Sequence, residues 1–334
     1  MPNTLNLGLI GAGRIGQVHA ATIAHRVPEA KLLMVADVNA PAAEACAQQN
    51  NVPRASDNPA DIINDPAISA VLICTSTDTH ATLIEQAAAA GKHIFCEKPI
   101  ALELGAIDRA LAAVARAGVT LQIGFNRRFD PNYMRAREAI MSGEIGEPFI
   151  LHLISRDPAP PPIPYVKVSG GIFLDMMIHD FDMARFLIGS EIVEVHTMAG
   201  VRIDPAIGEA GDVDTAVVLL KFANGVIGTI DNCRQAPYGY DQRCEVFGSK
   251  GEVHTLNDHP NTAIISTAES VHRDKPLNFF MTRYVESYQR EVQAFVRAVI
   301  DGSPAQVSGL DGRQAVVVGM AAKRSLLEGK PIRV

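Results

Sequence analysis

Asp175 and His179 stand four residues apart in Ser169–Ile188, a run whose other members are mostly apolar. The run reads as a loop opening into a buried helix that stops at Gly189. On a helix, a four-residue step puts both side chains on one face. A carboxylate and an imidazole in such surroundings need partners, because burying either alone is costly. Three chemistries fit the pair: a general base with its orienting acid, half of a metal site, or a polar pair satisfied within a core. Lys98 is the next candidate, set in Glu97-Lys98-Pro99 directly after the apolar run His93–Cys96. The bland reading is a surface lysine. The sharper one is a cation held by stiff backbone, with a cis bond before Pro99 as one way to do so. Such a cation can lower an alcohol's pKa or polarise a carbonyl.

Elements able to position these groups are legible on either side. The apolar run Leu5–Ile10 leads straight into Gly11-Ala12-Gly13-Arg14-Ile15-Gly16 and then a helical pattern. This is G-x-G-x-x-G between strand and helix, so Gly11, Gly13, Arg14, Ile15 and Gly16 are expected to cradle a pyrophosphate at a helix N-terminus. A second strand, Lys31–Ala36, ends in Asp37, about 20 residues after the glycines, where a carboxylate bonds an adenosine ribose. No arginine follows Asp37, and its charge would repel a 2′-phosphate, so the cofactor is expected to be NAD rather than NADP. The alternation continues through Ala70–Cys74 and the loop carrying Thr75, Ser76 and His80, then through the Glu97-Lys98-Pro99 strand to Val119–Gly124. Repeated strand–helix units give a doubly wound parallel sheet, with ligands beyond the strand C-termini. All these polar residues fall at those ends, so Thr75, Ser76, His80, Glu97 and Lys98 join the expected cofactor site.

From residue 125 onward the rhythm changes. After a helix at Pro131–Met141 come six strand-like runs between Phe149 and Leu256 with little helix among them. Asn224-Gly225 marks a hairpin turn, and Gly248-Ser249-Lys250-Gly251 joins the next pair. This predicts an α+β second domain, residues 125–334, with a large, mostly antiparallel, open-faced sheet, against a first domain of residues 1–124. Two helices, about Tyr284–Ile300 and Leu310–Leu327, close the chain, and the last is expected to pack back on the first domain. The open sheet face predicts a homo-oligomer.

The bulk numbers narrow the partners. A chain of 334 residues with net charge −7 argues against nucleic acid or an anionic membrane as partner. No apolar run is long enough to span a bilayer and the start lacks a signal-peptide pattern, so a cytoplasmic protein is expected. Five cysteines without a C-x-x-C pair fit reduced thiols. Ten histidines form no paired metal-ligand motif, which favours a metal-free acid/base reading of Asp175 and His179.

Taken together, G-A-G-R-I-G at 11–16, E-K-P at 97–99, G-F-N-R-R-F at 124–129 and G-G-x-x-x-D-x-x-x-H-D at 170–180 resemble the Gfo/Idh/MocA oxidoreductase family over nearly the whole chain. Arg156-Asp157-Pro158, Tyr238–Asp241 and Arg283–Tyr288 are similar to its inositol 2-dehydrogenases. The resemblance implies a Rossmann domain for NAD and a catalytic set of Lys98, Asp175 and His179. It further implies a polyol pocket lined by Lys98, Arg127, Asp157, Asp175, His179, Tyr240 and Tyr288, and a homotetramer formed through the C-terminal sheet. Asp157 departs from the asparagine found in some relatives. The implied reaction is NAD-dependent oxidation of myo-inositol to 2-keto-myo-inositol. Oxidation of scyllo-inositol or an aldose, and a non-catalytic NAD-binding regulator, are the alternatives; a regulator needs no proton acceptor.

Overall fold

The structure, a computed structural model, describes residues 4–334. The described chain forms two compact units: one takes in everything up to Phe129 together with Glu286–Val316, the other Asp130–Val285 together with Val317–Val334.

The first unit is built on six parallel strands: β1 (Leu5–Ile10), β2 (Ala30–Ala36), β3 (Arg54–Ser56), β4 (Ala70–Ile73), β5 (His93–Glu97) and β6 (Leu121–Gly124). Their order, β3-β2-β1-β4-β5-β6, reverses direction at β1, the switch point where doubly wound sheets bind ligands. All four residues of β4 and of β6 are buried, as expected of strands covered on both faces. Leu7, Leu9, Val35, Leu72 and Phe95 form the core on one side of the sheet. Val292, Phe295 and Val296 of the helix Val285–Asp301 pack into it. Each such side chain contributes about 1.5–3 kcal/mol by leaving water. That helix is therefore a core element of the first unit although it lies far along the chain.

The second unit carries β7 (Pro148–Arg156), β8 (Ile192–Gly200), β9 (Thr215–Phe222), β10 (Ile227–Cys233), β11 (Asp241–Gly248), β12 (Gly251–Thr255), the small hairpin β13 (Ile264–Ser266) with β14 (Val271–Arg273), and β15 (Ile332–Arg333). Seven of these form one sheet in the order β12-β11-β7-β10-β9-β8-β15. Every neighbouring pair is antiparallel except β7 with β10 at the centre. The β9–β10 turn places Gly225 at φ +91°, the positive value its Asn-Gly sequence anticipates. Strand β9 alternates strictly between buried and exposed residues, so one face is packed and the other open.

One expectation changes in detail. The segment carrying Asp175 is not a uniform α-helix: Ile172–Met176 is a π-helical turn, and the α-helix runs over Ile178–Ile188 before Gly189 ends it at φ +66°. The Met177 amide donates to the Ile172 carbonyl at 2.8 Å, the wide five-residue step of a π turn.

Candidate functional site

In the first unit the glycine loop has the backbone its sequence requires. Gly11 sits at φ +100°, and a Cβ there would lie 2.6 Å from the Cys74 carbonyl carbon and oxygen. A Cβ on Gly16 would meet the Gly11 oxygen at 1.9 Å, so the helix can approach the strand only with glycine at that position. Gly13 differs, since nothing lies within 4 Å of its Cβ position. Gly13 caps the helix Arg14–Arg26, no side chain satisfies the cap, and no acidic residue occupies the first turn. An open, positively polarised helix end is left there, which fits a dinucleotide pyrophosphate. The Asp37 carboxylate accepts from the Ala12 amide at 2.7 Å and the Asn39 amide at 2.8 Å, tying the end of β2 to the glycine loop.

The other expected cofactor residues divide into two groups. The Thr75 and Thr79 hydroxyls are 2.6 Å apart and organise the loop that includes Ser76. His80 and Glu97 are turned inward. His80 is buried, with Nδ1 2.8 Å from the Pro99 carbonyl and Nε2 3.0 Å from the Thr75 carbonyl. It braces the hydroxyl loop against the Lys98-Pro99 turn, whose peptide bond is cis. Burial is the larger influence on the ring and pushes its pKa down. The Glu97 carboxylate pairs with His19 Nε2 at 2.7 Å in the interior. Lys98 itself is half-buried, Arg127 is buried, and the Tyr288 ring meets His19 edge-on at 5.7 Å between centroids.

In the second unit the π turn presents Asp175 to two partners. Tyr165 donates its hydroxyl proton to Asp175 Oδ1 at 2.8 Å, and Arg234 approaches Oδ2 at 3.4 Å. Arg234 is almost fully buried, and its other terminal nitrogen lies 3.7 Å from Asp212. Asp212 in turn accepts from the Ile172 amide at 3.1 Å, at the start of the turn. His179 is half-buried on the following helix. Next to it, Asp180 accepts from the Ser155 hydroxyl at 2.5 Å and from Asn232 at 3.0 Å, fastening the helix to β7 and β10. The Tyr240 ring stands edge-on to Tyr284 at 6.0 Å, and the Asp157 amide donates to the Cys233 carbonyl where the central strands β7 and β10 end. Asp175 and His179, with Asp157 and Tyr240, thus belong to one unit, and the glycine loop, Asp37, Lys98, Arg127 and Tyr288 to the other.

Sequence reasoning missed Tyr165, Asp212 and Arg234, which hold Asp175, and His19 and Glu291 beside Glu97. His19 left a signal: it is a histidine on the glycine-loop helix, three residues after Gly16. Asp212 and Arg234 left none, because their partners are distant in the chain.

Known proteins are similar to the chain over nearly its whole length. Residues 5–125 match the family model described as an oxidoreductase family with an NAD-binding Rossmann fold, and residues 133–254 match the GFO/IDH/MocA C-terminal domain. The chain is 46% identical to the myo-inositol 2-dehydrogenase of Thermotoga maritima, covering 99% of this chain and 98% of that one. It is 47% identical to the inositol 2-dehydrogenase of Rhizobium meliloti, covering 99% of each. Among solved structures, the scyllo-inositol dehydrogenase of Lactobacillus casei with NAD(H) and scyllo-inositol bound superposes with a TM-score of 0.92. That protein is 29% identical, and the match covers 99% of both chains.

Proposed function

Given that the chain belongs to the Gfo/Idh/MocA oxidoreductase family and carries its NAD-binding Rossmann domain, we propose that it oxidises a ring hydroxyl of myo-inositol to 2-keto-myo-inositol. The observation that carries this reading is the full-length likeness to two inositol 2-dehydrogenases at 46% and 47% identity.

NAD, held by the glycine loop and Asp37, supplies the hydride acceptor. His179, as neutral imidazole, takes the hydroxyl proton. Asp175, fixed by Tyr165 and Arg234, keeps the imidazole oriented and stabilises the imidazolium. Lys98 stabilises the alkoxide as it forms. Arg127, Asp157, Tyr240 and Tyr288 meet the remaining hydroxyls, since a buried polyol demands a hydrogen bond for each polar group.

The test is NADH formation from a panel of inositol isomers and aldoses. Myo-inositol should give the highest kcat/KM; a higher value for an aldose sinks the substrate assignment. Scyllo-inositol is the second reading, favoured by the likeness to the Lactobacillus casei enzyme. His179→Ala should lose activity by about 10²-fold or more, with NAD binding kept. Wild-type turnover in that variant would remove His179 as the base, and no NADH from any substrate of the panel would leave only a regulatory role. The same reading makes the protein a cytoplasmic homotetramer assembled through the open sheet face.

A further inference from the structure

Three titratable groups meet inside the first unit: His19 from the helix Arg14–Arg26, Glu97 at the end of β5 and Glu291 from the helix Val285–Asp301. All three are buried, and one ligand atom of each lies within 4.8 Å of the others. Neither oxygen of Glu291 has a hydrogen-bond partner, although its side chain is fully enclosed. A Cβ on Gly124 would lie 3.0 Å from the Glu97 carboxyl carbon, so glycine there leaves room for that side chain.

Charge balance limits what the cluster can hold. Two ionised carboxylates beside a neutral imidazole would bury two uncompensated negative charges. Two protons would correct this, and so would one divalent cation. The distance from His19 Nε2 to Glu97 Oε1 is 2.7 Å, the length of a charge-assisted hydrogen bond. Two ligands sharing a metal at bonds of about 2.1 Å stand about 3 Å apart or more. The geometry favours protons.

We propose that His19, Glu97 and Glu291 form a proton-holding positioning cluster, with a proton held between His19 and the Glu97 carboxyl group and Glu291 a neutral acid, that fixes the backbone from which Lys98 projects. Burial and the neighbouring Glu97 charge both hold the Glu291 acid well above the usual carboxylate range. The nearby Cys74 and Cys96 thiols are pushed up by burial and stay neutral, and the Tyr288 and Phe95 rings close over His19. Gln122 of β6 donates to the Glu291 backbone carbonyl at 2.8 Å, anchoring the helix that carries the acid. The positioning half rests on the dehydrogenase reading, while the protonation half does not.

Infrared difference spectra of the full chain against Glu291→Gln test the protonation. A carboxylic-acid C=O band at neutral pH that the variant lacks is expected, and its absence overturns the proposal. So does stoichiometric divalent metal in the purified wild type by ICP-MS. Melting curves give an independent measure. An unfolded glutamate releases its proton near its ordinary pKa while the folded one keeps it, so wild-type stability falls as pH rises above that value. Glu291→Gln reproduces the neutral acid, so it should flatten that fall and melt no lower than wild type at pH 8; a much lower melting temperature refutes a neutral acid. Glu291→Leu tests positioning. It should lower kcat about tenfold or more while the KM for NAD barely moves, with Glu291→Gln rescuing. Equal kcat in the leucine variant overturns the positioning role even if the infrared band is present.

Discussion

Arg234 and Tyr165 both reach the half-buried Asp175 carboxylate. Arg234 faces Asp212 as well, so one buried guanidinium answers two carboxylates. Removing it leaves both carboxylates without their cation. Arg234→Met should therefore destabilise the fold by about 3–5 kcal/mol, read from urea unfolding, and lower kcat as well. A loss below about 1 kcal/mol would mean that solvent already screens the pair. Asp175 and His179 were legible as a pair because ionisable residues stand out in an apolar run. Their supports were not, since Tyr165, Asp212 and Arg234 are ordinary residues in a short helix, in a loop and just past a strand, whose meeting depends on tertiary folding. His80 and Glu97 were legible as residues of the sheet's ligand edge. The direction of their side chains was not: His80 spans two carbonyls and Glu97 turns to His19.

The π turn shows the same division among elements. Strand β9, Thr215–Phe222, falls among the expected strand-like runs, and the helix expected at Pro131–Met141 has those bounds in the structure. Alternation in the first, and a proline at the first turn capped by Asp130 in the second, are local signals. The wide turn at Ile172–Met176 lacks such a signal. Its apolar pattern suits either helix type, and its start is set by Asp212 binding the Ile172 amide from forty residues away. Gly171 makes that approach possible: its φ is +74°, and a Cβ would lie 2.5 Å from Asp212 Oδ1. Gly171→Ala should cost about 1–3 kcal/mol from the backbone conformation alone, and more from the displaced carboxylate. Thermal melting and kcat should fall together; an unchanged kcat would detach the turn from catalysis. The parallel β7–β10 pairing was likewise invisible, because β8 and β9 intervene in the chain.

At the scale of the whole molecule, the open face of the second sheet is the feature most in need of a partner. Met198, Val217, Leu219 and Ile227 are 74%, 43%, 51% and 53% exposed, and Phe149 and Phe247 stack edge-on at 6.2 Å on β7 and β11. Apolar surface spread over five adjacent strands is unusual on a monomer. Leu219→Glu should break the proposed tetramer into smaller species by light scattering coupled to gel filtration, with each subunit still folded by circular dichroism. A wild type that runs as a monomer would remove this face from consideration.

The route of the chain through the first unit has a consequence for how the protein is made. Residues up to Phe129 leave the ribosome first, but the segment that completes their core, Glu286–Val316, is translated more than 150 residues later. Until then Phe95 lacks Phe295 and Gln122 lacks the Glu291 carbonyl. Non-local closure of this kind slows folding and leaves apolar surface uncovered while synthesis continues. The nascent N-terminal segment is therefore a natural client for chaperones, and the last step of its folding waits on the synthesis of Glu286–Val316.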